Sequence, residues 1–212
     1  MKMRNVVIIG AVFAIGLACS TRAEVIIQAS NVWTDGSPDV LPIGNTIDQS
    51  GLSSTYTSGV DDFDSFVAGT TASFGTSAFL TVGGTSSQLD NFYFDLGSSY
   101  EINAMAVWNQ SGTASLNTFD IYSSADIGFT STTLLGSYSI GYIGGTEPSN
   151  VFSFIATDAQ YFMIDVTSNY GYADSTRVNE VAFAAIPEPA SLGLIGLVTG
   201  GIYFARRFFP SV

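Results

Sequence analysis

Between Glu24 and Ile186 the apolar positions come in short runs rich in β-branched and aromatic residues, punctuated by Gly, Ser, Asn and Asp. No stretch sustains a 3.6-residue period, so the pattern predicts strands and no long helix. The predicted strands lie within Glu24–Ser30, Phe79–Val82, Asn91–Leu96 (ended by Gly97), Ile102–Trp108, Thr118–Tyr122, Leu134–Ile140, Val151–Ile155, Tyr161–Val166 and Val178–Ala184. Val151–Ile155 alternates cleanly, with Val151, Ser153 and Ile155 on one face and Phe152 and Phe154 on the other. Trp108 and Phe92 to Phe94 sit in strands and are expected in the core. Strands at intervals of roughly 10 to 15 residues, with no βαβ alternation, predict an all-β chain folded as a two-sheet sandwich or jelly roll. The 47 residues from Asn31 to Ser77 are polar and Gly-rich, with isolated aromatics. That is too long for a featureless connection, so either minor strands lie there or these loops form the working edge of the sandwich.

Both ends follow different patterns. Met1-Lys2-Met3-Arg4 is a basic start, Val6 to Ala18 is almost wholly apolar, and Thr21-Arg22-Ala23 offers small residues for cleavage before Glu24. This is the order of a secretory signal peptide over residues 1–23. A first transmembrane helix is the alternative, but the run is shorter than the ~20 residues a span needs. Cys19 raises a lipoprotein alternative, against which Leu17 stands at the wrong place for a lipobox. At the other end, Pro187-Glu188-Pro189 stops any arriving strand or helix. A sixteen-residue apolar segment then runs from Ala190 to Ala205, followed by Arg206-Arg207.

Removing both ends leaves one domain, residues 24–186, long enough for a real core. It carries seventeen acids and one base, Arg177, a net charge of −16. Such a surface repels nucleic acid and attracts divalent cations. The single Cys leaves with the signal, so the mature domain has no disulfide, and His is absent from the chain. Ser-His-Asp and Cys-His catalysis, imidazole-ligated zinc and a His switch are therefore excluded.

The C-terminal order of Pro-Glu-Pro, short membrane helix (190–205) and Arg pair resembles the PEP-CTERM sorting signal of Gram-negative surface proteins. The resemblance implies export through the inner membrane, transient anchoring there by the C-terminal helix, and cutting near Pro187-Glu188-Pro189 by an exosortase-type enzyme. Delivery to the envelope, surface or extracellular matrix would follow.

A second resemblance lies within the domain. Phe92-Tyr93-Phe94-Asp95-Leu96-Gly97, Tyr100-Glu101-Ile102, Met105 to Asn109, Phe119 to Ser124, Ala159 to Val166 and Val178 to Phe183 follow one another as in the discoidin or coagulation-factor type C domains. Asn45 to Ser53 is similar to an early loop of that family. The resemblance implies a galactose-binding-like jelly-roll β-sandwich, with Gln160 and Met163 where Arg is common. Many members hold calcium between the early loop and the last strand. Carried over, the candidates are Asp48 and Glu180 side chains, the carbonyls of Asn45, Ser50 and Asn179, and Ser53. Calcium takes six to eight hard oxygens from such groups, and an ion there would join the start of a disulfide-free domain to its end. The alternative is that Asp48 caps a turn and Glu180 is a solvated strand residue.

The fold generally binds glycans through loops at one end of the sandwich, with aromatic rings stacking on sugars. Trp33, Tyr56, Phe63, Tyr170 and Tyr172 are the candidate loop aromatics; each could instead fold back onto its own loop. Asp61-Asp62-Phe63-Asp64 is the densest acid cluster, lacks EF-hand spacing, and reads as a solvated loop. Asn109-Gln110-Ser111 has the form of a glycosylation sequon. The first functional expectation is a non-catalytic carbohydrate- or matrix-binding domain of the extracellular polysaccharide layer or biofilm. An envelope glycan hydrolase using two carboxylates, and a passive spacer, are the alternatives.

Overall fold

The computed structural model describes residues 23–35, 37–38, 42–73, 79–82, 91–142, 144–145, 147–172 and 176–187. The signal segment before Ala23, and Glu188, Pro189, the apolar segment 190–205, Arg206 and Arg207, lie outside the described residues. Ten strands follow in order: β1 (Val25–Ile27), β2 (Asn31–Thr34), β3 (Ser37–Pro38), β4 (Thr71–Ala72), β5 (Phe79–Val82), β6 (Phe92–Asn109), β7 (Leu116–Ser124), β8 (Thr132–Ser139), β9 (Glu147–Asn169) and β10 (Arg177–Ala185). A turn of 3-10 helix, Ile43–Thr46, and one α-helix, α1 (Phe63–Gly69), lie between β3 and β4.

The hydrogen-bonded order is β3-β5-β10-β6-β9-β7-β8, with β1 added to β10, β2 to β6 and β4 to β9, all antiparallel. Two strands are long enough to belong to both layers of a sandwich: β6 has 18 residues and β9 has 23. The first layer joins β1 and β5 to β10, then to the second half of β6 and the first half of β9. The second layer joins β2 to the first half of β6, then to the second half of β9, β7 and β8. Sequence reading divides both long strands in two, because Gly97 looks like a turn and the residues between Ile155 and Tyr161 are polar. Instead the chain bends from one layer into the other. Gly97 sits at φ +79°, and a Cβ there would meet Ser30 Oγ at 3.0 Å. The β6–β9 ladder breaks between Asp95 and Tyr100, where this crossing occurs.

The inner faces of the two layers make the main core. Met105, Val107, Val181 and Phe183 come from the first, and Phe92, Phe94, Phe119, Ile121, Phe162 and Ile164 from the second. Contacts across the gap include Phe94–Phe183 at 5.7 Å and Phe162–Phe183 at 5.1 Å. The alternation of Val151–Ile155 is realised: Phe152 is buried and Ile155 is 89% exposed.

A second core lies on the outer side of the first layer. Ala104, Ala106 and Trp108 of β6 and Ala182 and Ala184 of β10 pack under Tyr56, Phe63 and Val67. These alanines let α1 approach the sheet closely, and Trp108 Nε1 donates to Thr70 O at 3.0 Å. Burial on both faces explains the unbroken apolar run of β10. Asp62 starts α1 by accepting from Ser65 N–H at 2.8 Å, and the Ser65 hydroxyl, with that N–H, holds its carboxyl below the usual range. The acid cluster is thus a helix N-terminus rather than an irregular solvated loop. At seven residues the helix is under two turns, too short to leave a period in the sequence.

Candidate functional site

β10 sets two opposite ends. It runs from Arg177, beside the 109–115 loop, to Ala185, opposite Val25. Ile186 N–H donates to Glu101 O at 2.8 Å, and Pro187 has no N–H with which to extend the ladder. Ile186 and Pro187 therefore lie at the same end of the sandwich as Val25. The other end is built from the 109–115 loop, residues 140–142 and 147–148, and residues 169–172 and 176–177.

That loop end carries exposed aromatics. Tyr172 is 45% exposed and Tyr142 is 60% exposed. Tyr170 packs edge-to-face on Tyr142 at 5.2 Å, and its hydroxyl donates to Ile140 O. Tyr172 N–H donates to Thr113 O at 3.2 Å, and Asn169 Nδ2 donates to Tyr172 O at 2.8 Å, so neighbouring loops support the turn. Tyr142 was not singled out in the sequence. The signal was available: it is a lone aromatic in the Gly-rich stretch from Gly141 to Gly145.

The other candidate aromatics are elsewhere. Phe63 is fully buried as the first residue of α1, and Tyr56 is buried against Phe66 at 4.9 Å. Both belong to the second core, so neither is a loop platform. Trp33 lies in β2 and stacks on its cross-strand neighbour Tyr93 at 5.5 Å. Phe129 covers this pair edge-on, at 6.4 Å from Trp33 and 5.1 Å from Tyr93. The cluster stands on the outer face of the second layer, away from the loop end. Beside it Asp165 lies directly opposite Asp120 across the β9–β7 ladder. Partial burial, then Asp120 and Asp35, raise the Asp165 carboxyl.

The sequon is not a modification site in the folded domain. Asn109 is buried, with Nδ2 donating to Leu116 O at 2.7 Å and Oδ1 accepting from Leu116 N–H at 3.0 Å.

The metal candidates gather at an edge of β10. β1 pairs with Phe183–Ala185 and β5 with Arg177–Val178, leaving a gap between them. The early loop fills it: Gln49 N–H donates to Glu180 Oε2 at 2.9 Å. Asp48 accepts from Ser50 N–H at 2.8 Å, so it does cap a turn. Glu180, however, is fully buried rather than solvated, and burial, with Asp48 close by, pushes it up to about 9. Its Oε1 has no partner. A register shift interrupts the β10–β6 ladder between Val178 and Glu180, and Asn179 lies at that irregularity. Asn179 Oδ1 is buried without a partner, while Nδ2 donates to Glu147. Ser53 is already engaged with β4: its Oγ accepts from Thr71 N–H at 3.0 Å. Asn45 lies in the 3-10 turn, where its N–H donates to Pro42 O at 3.1 Å.

Among the described residues no group of three or more acidic, His or Cys side chains could hold an ion. An ion at the β10 edge would thus rest on Asp48, Glu180 and neutral oxygens. The unpartnered Glu180 Oε1 and the all-oxygen donor set fit a hard cation.

These features define a galactose-binding-like jelly roll with an aromatic loop end opposite Ile186 and Pro187. The PEP-CTERM protein-sorting motif matches residues 185–207, beginning on the last residue of β10. No curated protein sequence matches the chain. Among solved structures, the chain resembles the CBM32 of AlyQ, in complex with 4,5-unsaturated mannuronic acid. Identity there is 21%, coverage 74% of this chain and 96% of that one, and the TM-score 0.50. The family 32 CBM from C. perfringens NanJ, in complex with galactose, has 14% identity, coverage of 76% and 98%, and TM-score 0.53. Chitosan-binding module 1 from a chitosanase/glucanase of Paenibacillus sp. IK-5 has 16% identity, coverage of 74% and 95%, and TM-score 0.50. Such identities establish a shared fold. Among the described residues no helix is long and apolar enough to cross a membrane.

Proposed function

We propose that the mature protein is a non-catalytic, surface-sorted domain that binds extracellular polysaccharide through its loop end. The observation that carries this reading is the exposed pair Tyr142 and Tyr172, with half-buried Tyr170 packed against Tyr142, at the end opposite Ile186 and Pro187. Sugar rings present apolar C–H faces that stack on such aromatics, while loop amides and hydroxyls take the sugar hydroxyls. Support comes from the resembling modules, whose bound or named ligands are a uronic acid derivative, galactose and chitosan. Export, processing by an exosortase-type enzyme and delivery to the envelope surface follow from the sorting motif.

Calcium is part of the proposal. Asp48 and Glu180 would supply the carboxylates, and the carbonyls of Asn45, Ser50 and Asn179 the neutral donors. The ion would close the gap in the β10 edge and neutralise a buried carboxylate; Ser53, bonded to β4, is left out of the set. A glycan array probed with the full-length chain in calcium tests the binding role. Retention on some glycans, reduced about tenfold or more by Tyr172→Ala or Tyr142→Ala, is the expected outcome. Binding that survives both substitutions would move the site elsewhere. No retention on the array or on native matrix would leave a passive spacer.

A further inference from the structure

The ten-stranded sheet ends on two strands that are guarded very differently. At one end lies β3, two residues long and closed by Pro38, which has no N–H to offer a further strand. At the other end lies β8, eight residues long, which among the described residues pairs with β7 alone. β8 contains no charged residue and no proline, the side chains that ordinarily protect such an edge. Its one irregularity, opposite Ile121 and Tyr122, turns Leu135 toward the core and leaves Leu134 52% exposed.

The first layer ends on the same flank. Among the described residues, β9 from Ser149 to Thr157 pairs with β6 alone. Tyr138 of β8 reaches its free side, donating from the hydroxyl to Ser153 O at 3.0 Å and packing on Phe152 at 5.1 Å. Gly136 makes room for that reach, because a Cβ there would meet the Tyr138 hydroxyl at 2.5 Å. Two unpaired edges therefore lie side by side. Val151 is 43% exposed, and Ile155, at the ladder shift between Ile102 and Ala104, is 89% exposed.

Charge is nearly absent from this flank. Between Ile127 and Thr157 the sole charged residue is Glu147, which is buried. Asp120, opposite Ser137, with Asp126 and Asp158, marks the margins. Two copies of a domain of net charge −16 repel each other, over a range of about 8 Å at physiological ionic strength. On this flank they can meet without setting carboxylate against carboxylate. A cationic partner would be drawn instead to the acidic remainder of the surface. What matches an uncharged face with a free strand edge is the same face of another copy.

We infer that this flank joins two copies of the chain, β8 of one lying antiparallel to β8 of the other about a two-fold axis, with Leu134, Val151 and Ile155 beside the seam. Such a contact is self-complementary and closes at two. β8 is ~26 Å long and two layers with their side chains are ~20 Å deep, so the pair would cover ~1,000 Å² in total. That is the low end for a specific interface and fits a weak, concentration-dependent pair. The inference stands apart from the glycan-binding reading.

Sedimentation equilibrium of the full-length chain in density-matched detergent, across the micromolar range, tests this. The expected result is a monomer–dimer equilibrium that tightens as salt rises, since screening relieves the repulsion between acidic bodies and leaves apolar contact intact. Leu134→Asp and Ile155→Asp should each weaken it about tenfold or more by setting like charges at the seam. Val60→Asp adds the same charge to a residue 69% exposed, in the turn bonded to Ile26 of β1, and should leave the equilibrium unchanged. If either flank variant fails to fold, Thr133→Asp, on an exposed position of β8, takes its place. Dimers held by the apolar ends of the chain would resist all these substitutions, and dimers bridged by calcium would vanish in chelator; either result overturns the inference. A monomer at every concentration, or a dimer that loosens as salt rises, overturns it equally.

Discussion

Glu180 carries a proton at neutral pH when no cation sits beside it, because burial lifts its carboxyl to about 9 from an ordinary 4.5. Between those values the folded state holds one more proton than the unfolded chain. Stability from this group is then full below about pH 4.5 and lost as pH rises through about 9, with a slope of up to ~1.4 kcal/mol per pH unit. In chelator, the urea midpoint should fall between pH 5 and pH 9, and Glu180→Gln should flatten most of that fall. Calcium should raise the melting temperature more at pH 8 than at pH 5, because the ion must displace the proton. A calcium-independent midpoint at both pH values, in natural chain and Asp48→Ala alike, would remove the ion from the site. Glu180 was legible in the sequence as a candidate only through family resemblance. Its burial was not legible, since nothing local indicates that the early loop covers the β10 edge.

α1 is the element on which sequence and structure differ most. Its seven residues include Phe63 and Val67, which enter the second core beneath Tyr56 and beside Trp108. Phe63→Ala should cost about 3–5 kcal/mol in equilibrium urea unfolding, the range for removing a large buried aromatic. On the glycan array, by contrast, the folded variant should bind like the natural chain, because Phe63 is far from solvent. A loss of affinity without loss of stability would restore Phe63 as a ligand contact. The strands were far more legible than this helix. Alternation along Val151–Ile155 and the apolar runs of β6 and β10 report burial directly, whereas a short capped helix reports itself only through Asp62 and Ser65. Single strands β6 and β9 were read as pairs because a bend and a chain reversal use the same small and polar residues.

At the scale of the whole molecule, Ala185 to Pro187, where the sorting motif begins, lie at the end of the sandwich opposite the candidate ligand site. A chain held by its tail would present Tyr142 and Tyr172 away from the membrane. Removal of the tail near Pro187-Glu188-Pro189 together with the signal segment 1–23 would take five of the six cations and leave a domain of net charge −16. Mass spectrometry of the protein recovered from cells that have the processing enzyme should find a C-terminus upstream of Arg206-Arg207. Peptides containing that Arg pair in the mature protein would mean that the tail is retained as an anchor.

The sequence by itself determined the fold class, the core strands, the lack of His and disulfide chemistry, and the sorting tail. Each of these depends on composition or on a local period, and a single chain displays both. Tertiary structure decided what depends on distant segments meeting. It put Phe63 inside a short helix with Tyr56 packed against it, Trp33 on a sheet face and Glu180 behind Gln49. It also brought Arg177 and Tyr172 to the two sides of one loop. An aromatic or a lone charge looks the same in sequence whether it is buried, stacked or exposed; only the packing of the second layer and its covering loops separates those states.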